Sequence, residues 1–226
     1  MAGIRRVARI DLEALASNLA GASASFLDAR ADAYGHNLAL VGPVARDAGI
    51  VRVLVSDDRD AALASAAGLT PVVGRLAPPD VGDLAGAAAY GLESGGRPVM
   101  TLVGEVIAVK HVGAGAGVSY GYTYRTPAPT HLALVGLGYA DGVPRIAGGR
   151  AHVAIDGRAL PLVGRIAMDQ FVVDCGDDPV GLGDEVALFG SGSVVPSAGE
   201  WAGWTTRDAL AVTAGLGPRI HREARA

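Results

Sequence analysis

A change of hydrophobic pattern at Gly95-Gly96 and Pro98 constrains this fold more than any other feature. Before it, short apolar runs alternate with segments of helical spacing, the signature of a parallel α/β region. After it, short apolar or alternating runs are separated by Gly and Asp turns, which reads as an all-β domain. The expected division is therefore an α/β part at 1–96 and a β part at 97–226. In the first part Leu12, Leu15, Ala16 and Leu19 share one helical face behind Asp11, a good N-cap residue. Ala24, Phe26, Leu27 and Ala29 form an apolar run ending as a strand near Arg30. A helix is expected over 38–48, closed by Gly49, then a buried strand over 50–55. Asp57 caps a helix running to Ala67, and 71–73 reads as a third strand. The stretch 74–83, with Pro78-Pro79, reads as irregular, and 84–92 as one more apolar segment.

In the second part, strands are expected over 103–112, 131–136, 152–155, 159–163, 170–175 and 185–190. Asp156-Gly157 is a hairpin turn signal. A helix is expected around 201–212, capped by Ser197 or by Thr205-Thr206. The net charge of −4 provides no basic stripe, so nucleic acid is a poor partner. No apolar run is long enough to span a bilayer, and no apolar leader segment follows Arg5-Arg6. Cys175 is the only cysteine, which excludes an internal disulfide and suits a reducing compartment, so a cytoplasmic protein is expected. His111, His131, His152 and His221 show no metal-ligand spacing, and no metal is expected.

One motif carries the chemistry. Arg30-Ala31-Asp32-Ala33-Tyr34-Gly35-His36 resembles the cofactor-lysine motif of the alanine racemases, Lys-Ala-Asp-Ala-Tyr-Gly-His. Further along, Gly117-Val118-Ser119-Tyr120-Gly121 is similar to the family segment bearing the catalytic tyrosine. Gly138-Tyr139-Ala140-Asp141-Gly142-Val143-Pro144-Arg145 is similar to its substrate-gate segment, and Gly164-Arg165-Ile166-Ala167-Met168-Asp169-Gln170 to its carboxylate-binding segment. The resemblance implies a shortened, open remnant of a (β/α)8 barrel followed by an alanine-racemase-like C-terminal β-barrel domain. The family's full barrel takes typically ~250 residues, and here three or four strands stand before the β part. The implied deletion junction is at 80–84. The arginine that supports the cofactor ring nitrogen in the family would fall at Leu84.

The resemblance also implies a homodimer with its site at the subunit interface, where Tyr120 of one subunit serves the other. Catalytic roles are expected for Tyr120 as acid/base and Arg30 as anion anchor. Substrate binding is expected from Tyr34, Tyr139, Met168 and Asp169. Arg165 reads as a structural ion-pair partner. Where the family has the lysine that forms a Schiff base with pyridoxal phosphate (PLP), this chain has Arg30, and Lys110 is its only lysine. A guanidinium stays protonated and is a poor nucleophile. The expectation is therefore no cofactor: a PLP-independent, isomerase-derived enzyme catalysing proton transfer, isomerisation or cyclisation on a small amino-acid-like carboxylate. The alternatives are a non-catalytic dimerising or binding protein and a genuine alanine racemase with an incomplete barrel.

Overall fold

The computed structural model describes residues 3–22, 24–75, 83–93 and 95–225. The chain divides into two compact units: Met1–Ala8, Thr101–Asp208 and Gly215–His221 form one, and Arg9–Met100, Ala209–Ala214 and Arg222–Ala226 the other. Residues 76–82, including Pro78-Pro79 and most of the expected junction at 80–84, lie outside the described residues.

The second unit holds a four-stranded parallel sheet: β2 (Phe26–Asp28), β3 (Arg52–Val55), β4 (Thr70–Val73) and β5 (Leu84–Ala85), in the order β4-β3-β2-β5. Phe26 lies opposite both Arg52 and Leu84, and Leu54 lies opposite Val72. Phe26, Leu27, Val53, Leu54 and Val55 are all buried, as expected of a parallel strand covered on both faces. Helices Leu12–Ala20, Leu38–Asp47 and Asp58–Ala66 alternate with these strands. Asp11 accepts from the Ala14 N–H at 2.7 Å and Asp57 from the Asp60 N–H at 3.0 Å, so both caps are as read from sequence. Asn37 caps the middle helix.

Three local expectations need correction. The helix after Asp11 is preceded by a strand, β1 (Val7–Asp11), in which Ala8 and Ile10 are buried. Its two-residue alternation is too short to stand out from flanking arginines. The segment 84–92 is a two-residue strand followed by a 3-10 turn, Ala87–Tyr90. Gly91 ends that turn at φ +66, and a Cβ there would stand 1.9 Å from the Arg97 carbonyl oxygen. The expected helix at 201–212 is two helices, Ala198–Thr205 and Ala209–Ala214, broken where Thr206 takes φ 53. Ser197 caps the first with a reciprocal Glu200 contact, which starts it three residues early.

The first unit is a closed antiparallel barrel of six strands: β6 (Met100–Val112, within this unit from Thr101), β9 (Thr130–Val135), β10 (His152–Ile155), β11 (Arg158–Val163), β12 (Phe171–Gly176) and β13 (Glu185–Phe189). Their order is β13-β10-β11-β12-β9-β6, and β13 pairs back onto β6 with Glu185 opposite Glu105. Closure leaves no open sheet edge around the ring. Val103, Ala133, Val135, Val153, Leu162, Phe171, Val173, Val186 and Leu188 are buried. Trp201 is fully buried too, its indole N–H donating to the Leu188 carbonyl. Between β6 and β9 a small hairpin, β7 (Gly117–Val118) and β8 (Tyr124–Arg125), carries Tyr120 at its tip. No described helix is long and apolar enough to cross a membrane.

Candidate functional site

In the α/β unit the site begins at the end of β2. Arg30 to Tyr34 do not continue as a strand or a right-handed helix. Ala31, Asp32, Ala33 and Tyr34 all have φ between 51° and 55°, a left-handed turn of four non-glycine residues. Each such residue costs roughly 1–2 kcal/mol, so the turn persists only because its surroundings impose it. The Ala31 N–H donates to Ser56 Oγ at 2.8 Å and the Asp32 N–H to Asp60 Oδ2 at 3.2 Å. Asp32 Oδ1 accepts from the Leu38 N–H at 2.7 Å. Gly35 closes the turn at φ +80 against the Thr213 carbonyl.

The turn presents a compact triad. Arg30 donates from Nε and Nη2 to the two oxygens of Asp28, at 2.9 and 2.6 Å. Tyr34 donates its hydroxyl to Asp28 Oδ2 at 2.6 Å and accepts from Arg30 Nη2 at 3.1 Å. The Asp28 carboxylate is nearly buried, while the Arg30 side chain is about half exposed. The hydrogen bond to Asp28 raises the guanidinium pKa further above its ordinary value, against a smaller opposing effect of burial. Burial, reinforced by the bond to Asp28, pushes the Tyr34 phenol up to about 12. Tyr34 is thus held neutral, and the Nε/Nη2 fork of Arg30 is committed to Asp28.

His36 sits behind this turn, fully buried, with its ring 4.7 Å from that of Tyr90. Its Nδ1 lies 2.9 Å from the Ala33 carbonyl oxygen, and its Nε2 has no hydrogen-bond partner among the described residues. Burial lowers its pKa to about 4. The folded state therefore favours the neutral ring. This contribution is fully present above the unfolded pKa of about 6.5 and is lost as pH falls through 6.5 toward 4. The expected loss is on the order of 3 kcal/mol. Urea unfolding at pH 7 and pH 4.5 should show it, and His36→Gln should flatten the difference. An equal pH response in both proteins would rule it out.

In the barrel unit three loops converge. Tyr120, 69% exposed, stands at the hairpin tip between Ser119 (φ 59) and Gly121 (φ 73). Ser119 Oγ donates to the Arg165 carbonyl at 2.6 Å, joining this tip to the loop after β11. The Arg165 guanidinium lies against Gly121, 3.3 Å from where a Cβ would stand. Tyr120, Tyr122, Arg165 and Gln170 line one open cleft of about 450 Å³, floored by Leu134 and Phe171.

The same loop is zipped to the segment after β9. Tyr139 N–H donates to the Ala167 carbonyl at 3.1 Å and Ala140 N–H to the Met168 carbonyl at 2.9 Å. Gly138 permits this approach, since a Cβ there would stand 2.3 Å from the Met168 carbonyl oxygen. Arg219 ties the ends: it donates to Asp141 Oδ1 at 2.9 Å and to Asp169 Oδ1 at 2.7 Å. Asp141 is fully buried, accepts from the Gly138 N–H at 2.8 Å, and has Arg6 at 3.5 Å.

Within this unit, then, Tyr139, Met168 and Asp169 are joined by one network. Tyr120 lines a different cleft from Tyr139, whose own cleft is shared with Arg145 and Arg207. Arg165, read from sequence as an ion-pair partner, lines the Tyr120 cleft instead. Two residues given no site role by sequence organise these loops, Arg165 and Arg219, and in the α/β unit Asp28 does the same for Arg30 and Tyr34. Only Asp28 had a local signal, an acid two places before Arg30 at a strand end. Among the described residues no cluster of three or more His, Cys, Asp or Glu could hold a metal.

Comparison with known proteins places these loops. Residues 99–224 match the family model "Alanine racemase, C-terminal domain". An alanine racemase of Salinispora arenicola is 52% identical over 124 residues, covering 52% of this chain and 33% of that protein. The chain spans about a third of the length of such curated relatives. The crystal structure of alanine racemase from Streptomyces lavendulae superposes with a TM-score of 0.88 at 24% identity, covering 100% of this chain and 98% of that one. That of Bartonella henselae, with covalently bound pyridoxal phosphate, has a TM-score of 0.82 at 19% identity, covering 98% and 99%.

The expectation of no cofactor is overturned by this result: relatives at about 50% identity are alanine racemases, which are PLP-dependent. What position 30 excludes is narrower. Arg30 supplies no amine and its guanidinium is held by Asp28, so residue 30 itself cannot form a Schiff base. With the family model matching more than half of its length, the chain belongs to the alanine racemase family.

Proposed function

We propose that this chain is a repurposed member of its family that moves a proton on a small amino-acid-like carboxylate, with Tyr120 as the acid/base. The supporting observation is the cleft in which the exposed Tyr120 phenol shares a wall with Arg165. The Arg165 guanidinium lines the same cleft and places a cation in the neighbourhood of the proposed acid/base. The proton leaves the substrate carbon for the phenolate and returns from the phenol. Tyr34, Tyr139, Met168 and Asp169 are proposed to bind substrate, and Arg30 to anchor its anion.

The proposed architecture is a barrel remnant at 1–96 and a β domain at 97–226. The remnant reading rests on four parallel strands in which β5 adjoins β2, as the last and first strands of a closed barrel do. The open edges of that sheet favour a homodimer, the proposed setting in which a second copy completes the site. The single cysteine, buried in β12, suits a reducing cytoplasm.

The test is exchange of the Cα proton of amino acids in D2O, followed by proton NMR with and without added PLP. Tyr120→Phe should slow exchange by roughly 10²–10⁴-fold, the usual contribution of a positioned acid/base. Unchanged exchange in Tyr120→Phe would sink the assignment. Amino-acid binding without any exchange would return the non-catalytic reading, and conversion of L- to D-alanine would return the racemase itself.

A further inference from the structure

We infer that His111 and His131 form a two-histidine site for a labile divalent transition-metal ion, separate from the Tyr120 cleft and independent of the proposed reaction. The two residues lie directly opposite each other on β6 and β9. Their ring centres are 5.0 Å apart, with the planes inclined at 58°. Two imidazoles sharing one ion, with metal–nitrogen bonds of about 2.0–2.1 Å and an angle of roughly 100° at the metal, hold their ring centres about 5 Å apart. The observed spacing therefore needs no rearrangement of the sheet to accept an ion.

The second observation concerns the tautomer. His131 Nδ1 lies 3.1 Å from the Gly176 carbonyl oxygen, which can only accept. Nδ1 therefore carries the hydrogen, and Nε2 keeps its lone pair. A backbone carbonyl bound to the non-ligating nitrogen is how proteins orient a metal-binding histidine and raise its basicity. His111 is exposed and free to turn toward the same point. No third His, Cys, Asp or Glu completes a cluster among the described residues, so water fills the remaining positions. Two neutral nitrogens select Cu2+, Ni2+ or Zn2+ over Mg2+ and Ca2+, which require oxygen ligands.

The experiment is titration of the full chain with Cu2+ and Ni2+, read by calorimetry and by the nitrogen hyperfine pattern of bound Cu2+. Two equivalent imidazoles on one ion are expected. His111→Ala and His131→Ala should each weaken binding at least about ten-fold, while His152→Ala and His221→Ala should leave it unchanged. Long-range proton–nitrogen NMR of the metal-free protein should show His131 protonated at Nδ1. Equal binding by both single variants, one imidazole per ion, or a His131 protonated at Nε2 would each overturn the site. Circular dichroism of the variants separates loss of the site from loss of the fold.

Discussion

Asp141→Ala is expected to destabilise the barrel unit by about 3 kcal/mol, the lower end of the range for breaking a buried ion pair. Asp141 is fully buried, accepts from the Gly138 N–H and Arg219 Nε, and has the Arg6 guanidinium, which donates to the Gly136 carbonyl, as a second ion-pair partner at 3.5 Å. Alanine would leave two guanidinium groups without their shared carboxylate and the Gly138 N–H unsatisfied. The arginines are partly exposed and recover some hydration, which is why the lower end applies. For a chain of this size the melting temperature should fall by roughly 6–12 °C. Asp141→Asn should cost less, since its carbonyl oxygen still accepts from Gly138. A melting point within about 2 °C of the parent would show that the loops do not depend on this carboxylate. Because Arg219 also holds Asp169, the same substitution should loosen the segment carrying Met168. Amide hydrogen exchange at residues 138–142 and 166–170 would register that loosening even where the melting point moves little.

Gly35→Ala should be strongly damaging to the α/β unit, at roughly 3 kcal/mol or more. Two independent penalties combine. Gly35 sits at φ +80, and a Cβ there would stand 2.4 Å from the Thr213 carbonyl oxygen. Neither atom is the end of a flexible side chain, so backbone has to move. The neighbouring Ala31→Gly should act with the opposite sign. Ala31 is exposed and held at φ 52, so glycine relieves its left-handed strain. The gain is offset in part by the greater freedom of glycine in the unfolded chain, leaving a stabilisation of about 0.5 kcal/mol. Urea unfolding of the two variants side by side checks both signs. If Ala31→Gly destabilised by more than about 1 kcal/mol, the turn would not be strained in the way its dihedrals indicate.

Much of this fold was legible in the sequence because its signals are local. The caps at Asp11 and Asp57 and the helical faces behind them need only a few neighbouring residues. The six barrel strands likewise appear as apolar runs bounded by turn residues. Barrel closure is different. It depends on β13 returning to β6, with Glu185 opposite Glu105, and no local pattern encodes that register. The left-handed turn at Ala31–Tyr34 was hidden for a related reason. Alanine, aspartate and tyrosine do not favour positive φ, so their intrinsic preferences point away from the conformation that Ser56, Asp60 and Leu38 impose.

The candidate site divides the same way. Motif order alone brought Tyr120, Tyr139, Met168 and Asp169 into consideration. The residues that organise them were missed because their partners are remote: Arg219 reaches 78 positions back to Asp141 and 50 back to Asp169. Arg165 was assigned an ion pair because arginine on a loop usually finds one. The three-dimensional packing of the hairpin tip against the loop after β11 instead lays it along the Tyr120 cleft.

By itself the sequence determined the chemical inventory: a guanidinium rather than an amine at residue 30, one lysine at residue 110, and a tyrosine in an intact Val-Ser-Tyr-Gly setting. Those facts follow from covalent structure and hold in any fold. Only the tertiary structure decided what the groups are committed to. Arg30 is bound to Asp28 because a nearly buried carboxylate at the end of β2 requires a counter-charge, and the left-handed turn folds the guanidinium back onto it. Partnership of this kind is set by burial and by the path of the backbone, which a string of residue types does not carry.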